Sequence, residues 1–144
     1  MSDSDTIESF RDLVVWQVAM DAAEGVLELV EGEGLRKRFW LCDQICRAVS
    51  SISANPAEGH GSGTRRMYVK HCYLARGSLC ESLSFIELIR RRQLADPKLL
   101  VQIDQQLNRT HKLLNGLISA LAGPRAQMEA PKPRTQNPRP QSRS

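Results

Sequence analysis

The stretch Arg36-Lys-Arg-Phe-Trp-Leu-Cys-Asp-Gln-Ile-Cys-Arg-Ala-Val-Ser-Ser-Ile-Ser-Ala-Asn-Pro-Ala-Glu-Gly59 decides the fold. Phe39, Cys42, Ile45, Cys46, Val49 and Ile52 recur at steps of three or four, so a helix starting near Arg36 gathers them on one stripe and leaves its other face polar. Such a stripe must be buried against other helices, and the flanking sequence supplies three. Upstream, Ser9 is a candidate N-cap with Asp12 three residues on, an arrangement related to a capping box. Phe10, Leu13, Val14, Ala19, Ala22, Val26, Leu29 and Val30 follow, and Gly32 and Gly34 end that helix. Downstream, Gly59-His-Gly-Ser-Gly63 interrupts the pattern, and Thr64 caps a helix carrying Tyr68, Cys72, Ala75, Leu79, Ile86 and Ile89. Asp96-Pro97, an N-cap followed by proline at the first helical position, opens the last helix, with Leu100, Ile103, Leu107, Leu114, Leu117 and Leu121 on its apolar side. Gly123-Pro124 is its stop signal. No segment alternates as a strand does. The connections are short, so the expectation is an all-α, antiparallel up-down-up-down four-helix bundle over residues 9–123, after a flexible N-terminus at 1–8.

A chain of 144 residues with 41% apolar content suits one domain and one core. No run approaches the ~18–20 apolar residues of a membrane span, and the start, Met1-Ser-Asp-Ser-Asp-Thr6, lacks the features of a secretory signal. A cytoplasmic protein with no membrane association is expected. Cys42, Cys46, Cys72 and Cys80 lie in helical patterns without a disulfide framework, which implies reduced thiols. Charge is unevenly placed. Residues 1–35 hold nine acidic side chains and only Arg11 as a base, whereas residues 36–123 are net basic. The overall charge of +4 comes from residues 124–144, whose five prolines and few large apolar groups predict a disordered, basic tail.

Within the second helix, Ser51, Asn55 and Glu58 share a face if the helix continues past Pro56. Ser78 and Glu81 do the same on the neighbouring antiparallel helix. The two polar patches could form a buried cluster or a subunit contact, with Asn55 and Glu58 satisfying backbone groups at the helix end. The plainer reading is close helix approach through small residues, a solvated Glu58 and a Gly59 that ends the helix. Pro56 removes a backbone donor and opposes the carbonyl of Ile52, so helix two is expected to kink or stop near Asn55.

Arg47, Ser51-Ile52, Asn55, Ala57-Glu58-Gly59, Gly77-Ser78-Leu79 and Glu81 together resemble the signature of the bacterial four-helix-bundle proteins encoded in intervening sequences of 23S ribosomal RNA genes. The resemblance runs from Phe10-Arg-Asp-Leu-Val-Val-Trp-Gln17 to about Leu121. It implies the same fold and a homopentamer, and it implies kinship with the accessory proteins of diversity-generating retroelements, which partner a reverse transcriptase. Relatives usually carry an aliphatic residue where this chain has Pro56.

Enzyme chemistry finds little support. Di-metal bundle sites need paired Glu-x-x-His motifs, and none of His60, His71 or His111 follows a glutamate by three. Cys42, Cys46, His71 and Cys72 are conceivable zinc ligands, but an x3 spacing on an apolar stripe reads more simply as buried thiols. The glycines at 59, 61 and 63 lie between helices and follow no strand, and Ser78 has no evident base. No catalytic residue, metal or cofactor is expected.

The surface chemistry that stands out is basic. Arg36, Lys37 and Arg38 begin helix two, Arg65, Arg66 and Lys70 begin helix three, and Arg90, Arg91 and Arg92 end it. Up-down topology brings the first and third groups to one end of the bundle, as a patch of six cations suited to phosphate backbones. This points to binding of RNA or a ribonucleoprotein, with ordinary solvated helix ends as the simpler reading of the clusters; the alternative function, implied by the resemblance to retroelement accessory proteins, is an adaptor for a protein partner such as a reverse transcriptase. The acidic first helix facing a basic neighbour would give a head-to-tail ring, with Trp16, Trp40 and exposed residues among Val15, Val18 and Leu27 as apolar contacts.

Overall fold

The computed structural model describes the backbone of residues 7–128 and side chains as far as residue 123. A 3-10 turn at Phe10–Asp12 leads into α1 (Val14–Glu31), α2 (Phe39–Gly61), α3 (Arg65–Arg91) and α4 (Pro97–Met128). No strand occurs among the described residues. Each helix packs mainly on two neighbours, α1 on α2 and α4, and α3 on α2 and α4. That arrangement is the expected up-down-up-down bundle. No helix is long and apolar enough to cross a membrane among the described residues.

The Ser9–Asp12 capping box forms, but it caps the 3-10 turn rather than α1. Ser9 N donates to Asp12 Oδ2 at 3.1 Å and Arg11 N to Ser9 Oγ at 3.2 Å. Leu13 is then extended (φ −71°, ψ 121°), and α1 begins only at Val14. Val15 and Val18, expected at an exposed contact, are buried, because they stand three and four residues from each other and from Ala19 and Ala22 on one stripe; Val14, expected inside, is half exposed. Leu27 is exposed as expected.

The start of α2 also differs from expectation. Leu35 N and Arg36 N both donate to Gly32 O (3.2 and 2.9 Å), and Arg38 N donates to Leu35 O at 2.8 Å, so residues 32–38 form turns that insert Leu35 fully into the core. Gly34 permits this: a Cβ there would sit 1.8 Å from the carbonyl oxygen of Leu94 in the α3–α4 connection. The buried stripe of α2 thus starts at Leu41, and Phe39 points outward.

Of the two outcomes expected near Asn55, a kink or a stop, the stop does not occur: α2 runs through Pro56 to Gly61. The ring is buried, so packing offsets the ~3 kcal/mol that a helix-interior proline costs. Polar side chains also tie down carbonyls in the preceding turns. Ser50 Oγ donates to Cys46 O, Ser53 Oγ to Ser50 O at 3.2 Å, and Asn55 Nδ2 to Ser51 O at 2.9 Å.

Thr64 caps α3 by accepting from Met67 N at 3.2 Å. The helix closes through Gln93, at φ 53°, which lets Leu94 N reach back to Ile89 O at 3.2 Å. Asp96 Oδ1 accepts from Lys98 N at 2.9 Å, capping α4 ahead of Pro97. Gly123 leaves helical geometry (φ 67°, ψ 179°) where the stop was expected, but helical backbone resumes as far as Met128. The disordered tail expected from residue 124 lies, from 129 on, outside the described residues, as does most of the flexible segment expected at 1–8.

The core is one cluster contributed by all four helices, including Val26, Leu29, Ile45, Ile52, Leu79, Ile89, Ile103, Leu107 and Leu114. Each such side chain contributes ~1.5–3 kcal/mol on burial.

Candidate functional site

Two features compete as the functional centre: the polar seam between α2 and α3, and the basic end of the bundle. The seam contains part of the signature. Ser78 Oγ donates to Ser51 Oγ at 2.9 Å, and Asn55 Nδ2 donates to the same oxygen at 2.8 Å. With its amide nitrogen committed to Ser51, Asn55 turns Oδ1 toward His71 Nδ1, 3.0 Å away. That acceptor requires the proton of His71 to sit on Nδ1. Glu58 Oε2 lies 3.7 Å from the same nitrogen, beyond hydrogen-bond range, and its side chain is 67% exposed. Ser82, fully buried, extends the line by donating to Ser78 O at 2.9 Å.

Gly59 does not end α2, as the plainer reading had it. It is buried where α2 and α3 meet: a Cβ there would lie 3.0 Å from His71 Cβ, 3.1 Å from Tyr68 Cδ1 and 3.2 Å from Tyr68 Cα. Burial, reinforced by Cys72, pushes the Tyr68 phenol up to about 12. The seam therefore unites Ser51, Asn55, Gly59 and Ser78, with Glu58 at its edge. His71 completes it, a role that sequence reasoning missed. The signal was available, since His71 and Ser78 are seven residues apart and share a face of α3.

Gly77 and Glu81 are not in the seam. Both are exposed on α3, and a Cβ on Gly77 would meet nothing within 4 Å. Arg47 likewise lies on the surface, paired with Asp43 at 3.2 Å.

Cys72 is buried, Cys42 and Cys46 are half-buried and Cys80 is exposed. The Cys72 thiol is pushed up to about 11 by desolvation; burial also raises Cys46, with Cys42 and Asp43 adding to it. Cys42 Sγ donates to Leu35 O at 3.0 Å. Among the described residues, no three His, Cys, Asp or Glu side chains are grouped to hold a metal.

At the basic end, the structure divides the expected patch of six. Arg38 and Arg92 line one cleft of about 320 Å³ with Phe39, Trp40, Leu41, Leu88 and Leu94. Arg90 lines a different groove, with Pro97, Leu100, Val101 and Asp104, on the α4 side. Arg90 is also committed to Glu87, through Nε at 2.9 Å and Nη2 at 2.5 Å, and Arg91 Nε reaches Glu87 at 3.0 Å. These hydrogen bonds, first from Arg90 and then from Arg91, hold the Glu87 carboxyl at about 2. Arg36, Lys37 and Arg92 are exposed and pair with no carboxylate among the described residues, and Arg38 Nε donates to Gly34 O at 3.0 Å. Arg65, Arg66 and Lys70, also exposed, lie at the start of α3 and hence at the opposite end. Beside the basic cleft, and sharing Leu94 with it, runs an acidic groove containing Glu28, Glu33 and Asp96.

Comparison with solved structures finds similarity to a crystal structure of a protein of unknown function from the S23 ribosomal protein family of Bacteroides thetaiotaomicron. The TM-score is 0.67 at 23% identity, over 73% of this chain and 98% of that one, which supports the fold. Comparison with curated proteins finds no match. Residues 11–116, a span that includes both halves of the signature, match the family described as 23S rRNA-intervening sequence protein. The chain belongs to the 23S rRNA-intervening sequence protein family.

Proposed function

We propose that this protein is a non-enzymatic, cytoplasmic, oligomeric helical bundle that contacts RNA or a ribonucleoprotein through its basic end. The observation that carries this reading is the cluster of Arg36, Lys37, Arg38 and Arg92, exposed at one end and without carboxylate partners among the described residues. Unpaired surface cations are the chief source of phosphate-backbone affinity. Replacing all four with alanine is expected to abolish binding to structured RNA at low salt; unchanged binding would refute the assignment.

Assembly is supported by the outward face of α3. Met67, Leu74, Gly77, Glu81 and Leu88 recur at steps of three, four and seven, and Leu74 is 50% exposed. Gly77 costs ~1 kcal/mol relative to alanine in a helix, and nothing within its own chain requires it, which suits close approach by a neighbouring subunit. The homopentamer implied by family resemblance is the proposed form. Gly77→Leu is expected to lower the mass measured in solution, whereas an unchanged mass would remove this face from the contact. A second reading, an adaptor for a protein partner such as a reverse transcriptase, draws on the same apolar face. It predicts that Leu74→Ser weakens capture of that partner while leaving RNA binding unchanged.

A further inference from the structure

We infer that the basic end recognises unpaired nucleobases, by stacking them on Phe39 and Trp40, so that single-stranded RNA is preferred over duplex. This inference deepens the RNA-contact reading and rests on it. Phe39 is 77% exposed and Trp40 67% exposed, the most exposed of the large apolar side chains among the described residues. They are adjacent in sequence, directly after Arg36-Lys37-Arg38. Neither ring is needed to fill the core. Trp40 meets Phe85 in a T-shaped contact, with centroids 6.5 Å apart, and two thirds of its surface stays open to solvent.

The surroundings favour an anionic, planar occupant. Arg38 and Arg92 line the aromatic cleft, and no carboxylate does. Leu88 and Leu94 supply an apolar floor. A base has a π-face that stacks on aromatic rings whatever its sequence, and the connecting phosphates fall to flanking cations. A duplex keeps its bases stacked internally, so it can use the arginines but not the rings. The geometry of the α1–α2 connection underlies this: because Gly34 lies against the Leu94 carbonyl and Leu35 enters the core, α2 starts at Phe39 and presents both aromatics at its first turn.

The test compares Trp40→Ala, Trp40→Phe and the Arg36/Lys37/Arg38/Arg92 alanine variant against a single-stranded oligouridine and a duplex RNA of equal length. Trp40 fluorescence in a Trp16→Phe background reports directly on stacking. Trp40→Ala is expected to weaken oligouridine binding by about tenfold while leaving duplex binding within about twofold. Trp40→Phe should recover most of the loss, and oligouridine should quench Trp40. Equal loss for both RNAs, or no loss for oligouridine, overturns the stacking inference while leaving phosphate contact intact. Absence of all RNA binding by the unaltered protein removes the parent reading as well. If Trp40→Ala instead dissociates the oligomer, the cleft is covered by a second copy of the chain and the inference fails.

Discussion

Three glycine-to-alanine substitutions measure how closely the connecting segments and helices approach. Gly116 lies exposed on α4, where a Cβ would meet nothing within 4 Å. Gly116→Ala should therefore show only the helix-propensity gain, about 0.5–1 kcal/mol. At Gly59 the same gain is opposed by contacts of 3.0–3.2 Å with Tyr68 and His71. Those contacts involve Tyr68 Cα and His71 Cβ, which are anchored in α3 and cannot rotate away. Overpacking of this kind costs ~1–3 kcal/mol, so Gly59→Ala should be net destabilising by about 1–2 kcal/mol, or roughly 4–8 °C in Tm. Gly34→Ala brings a Cβ to 1.8 Å from the Leu94 carbonyl and requires the connection to move, with a loss above ~3 kcal/mol. Urea denaturation followed by circular dichroism, at one fixed protein concentration so that any contribution from the proposed assembly is held constant, gives the order directly. If Gly59→Ala proves as stabilising as Gly116→Ala, the close approach of α2 and α3 is wrong.

Three further outcomes follow from the same contacts. Ser51→Ala removes the oxygen that accepts from both Asn55 and Ser78, and should cost ~1–2 kcal/mol; combined with Ser78→Ala, the loss should fall short of the sum by at least about 0.5 kcal/mol in a double-mutant cycle. Alkylation of the native protein at pH 8 should modify exposed Cys80 first and Cys72 last, since burial holds Cys72 at about 11; peptide mapping that finds Cys72 modified early would contradict its placement. The depressed carboxyl of Glu87 means that its pairing contributes above the ordinary value of 4.5 and is lost as pH falls toward about 2. A carboxyl NMR titration should find its midpoint well below the ordinary value of 4.5, and 1 M salt should move it up because the pair is exposed.

Helix starts carried by short-range chemistry were legible in the sequence: Thr64 and Asp96-Pro97 cap α3 and α4 as read, and Gly123 breaks α4 where expected. What could not be read depended on tertiary contact. The burial of Leu13 turns on its being extended ahead of α1, and the outward position of Phe39 turns on Leu35 being drawn into the core. Pro56 is a helix breaker by local rule, and its burial overrides that rule. The seam was half legible. Ser51, Asn55 and Ser78 meet as their spacing suggested, but His71 joins them only because Gly59 lets α3 approach α2 at that level. Arg90 and Arg92, two residues apart in sequence, are separated by helix geometry onto different grooves, and no run of like charges reveals that Glu87 engages two of the three arginines.

The central claim, that unpaired cations of the basic end hold RNA phosphates, is tested most directly by the salt dependence of binding to single-stranded RNA. Four engaged cations, Arg36, Lys37, Arg38 and Arg92, predict a log–log slope of about −3 per subunit, a loss of roughly fiftyfold between 50 and 200 mM salt. Arg92→Ala should reduce that slope by about 0.7, and Arg90→Ala, whose guanidinium is already held by Glu87, should change it little. A slope near zero in the unaltered protein, or equal effects of the two substitutions, would contradict the account.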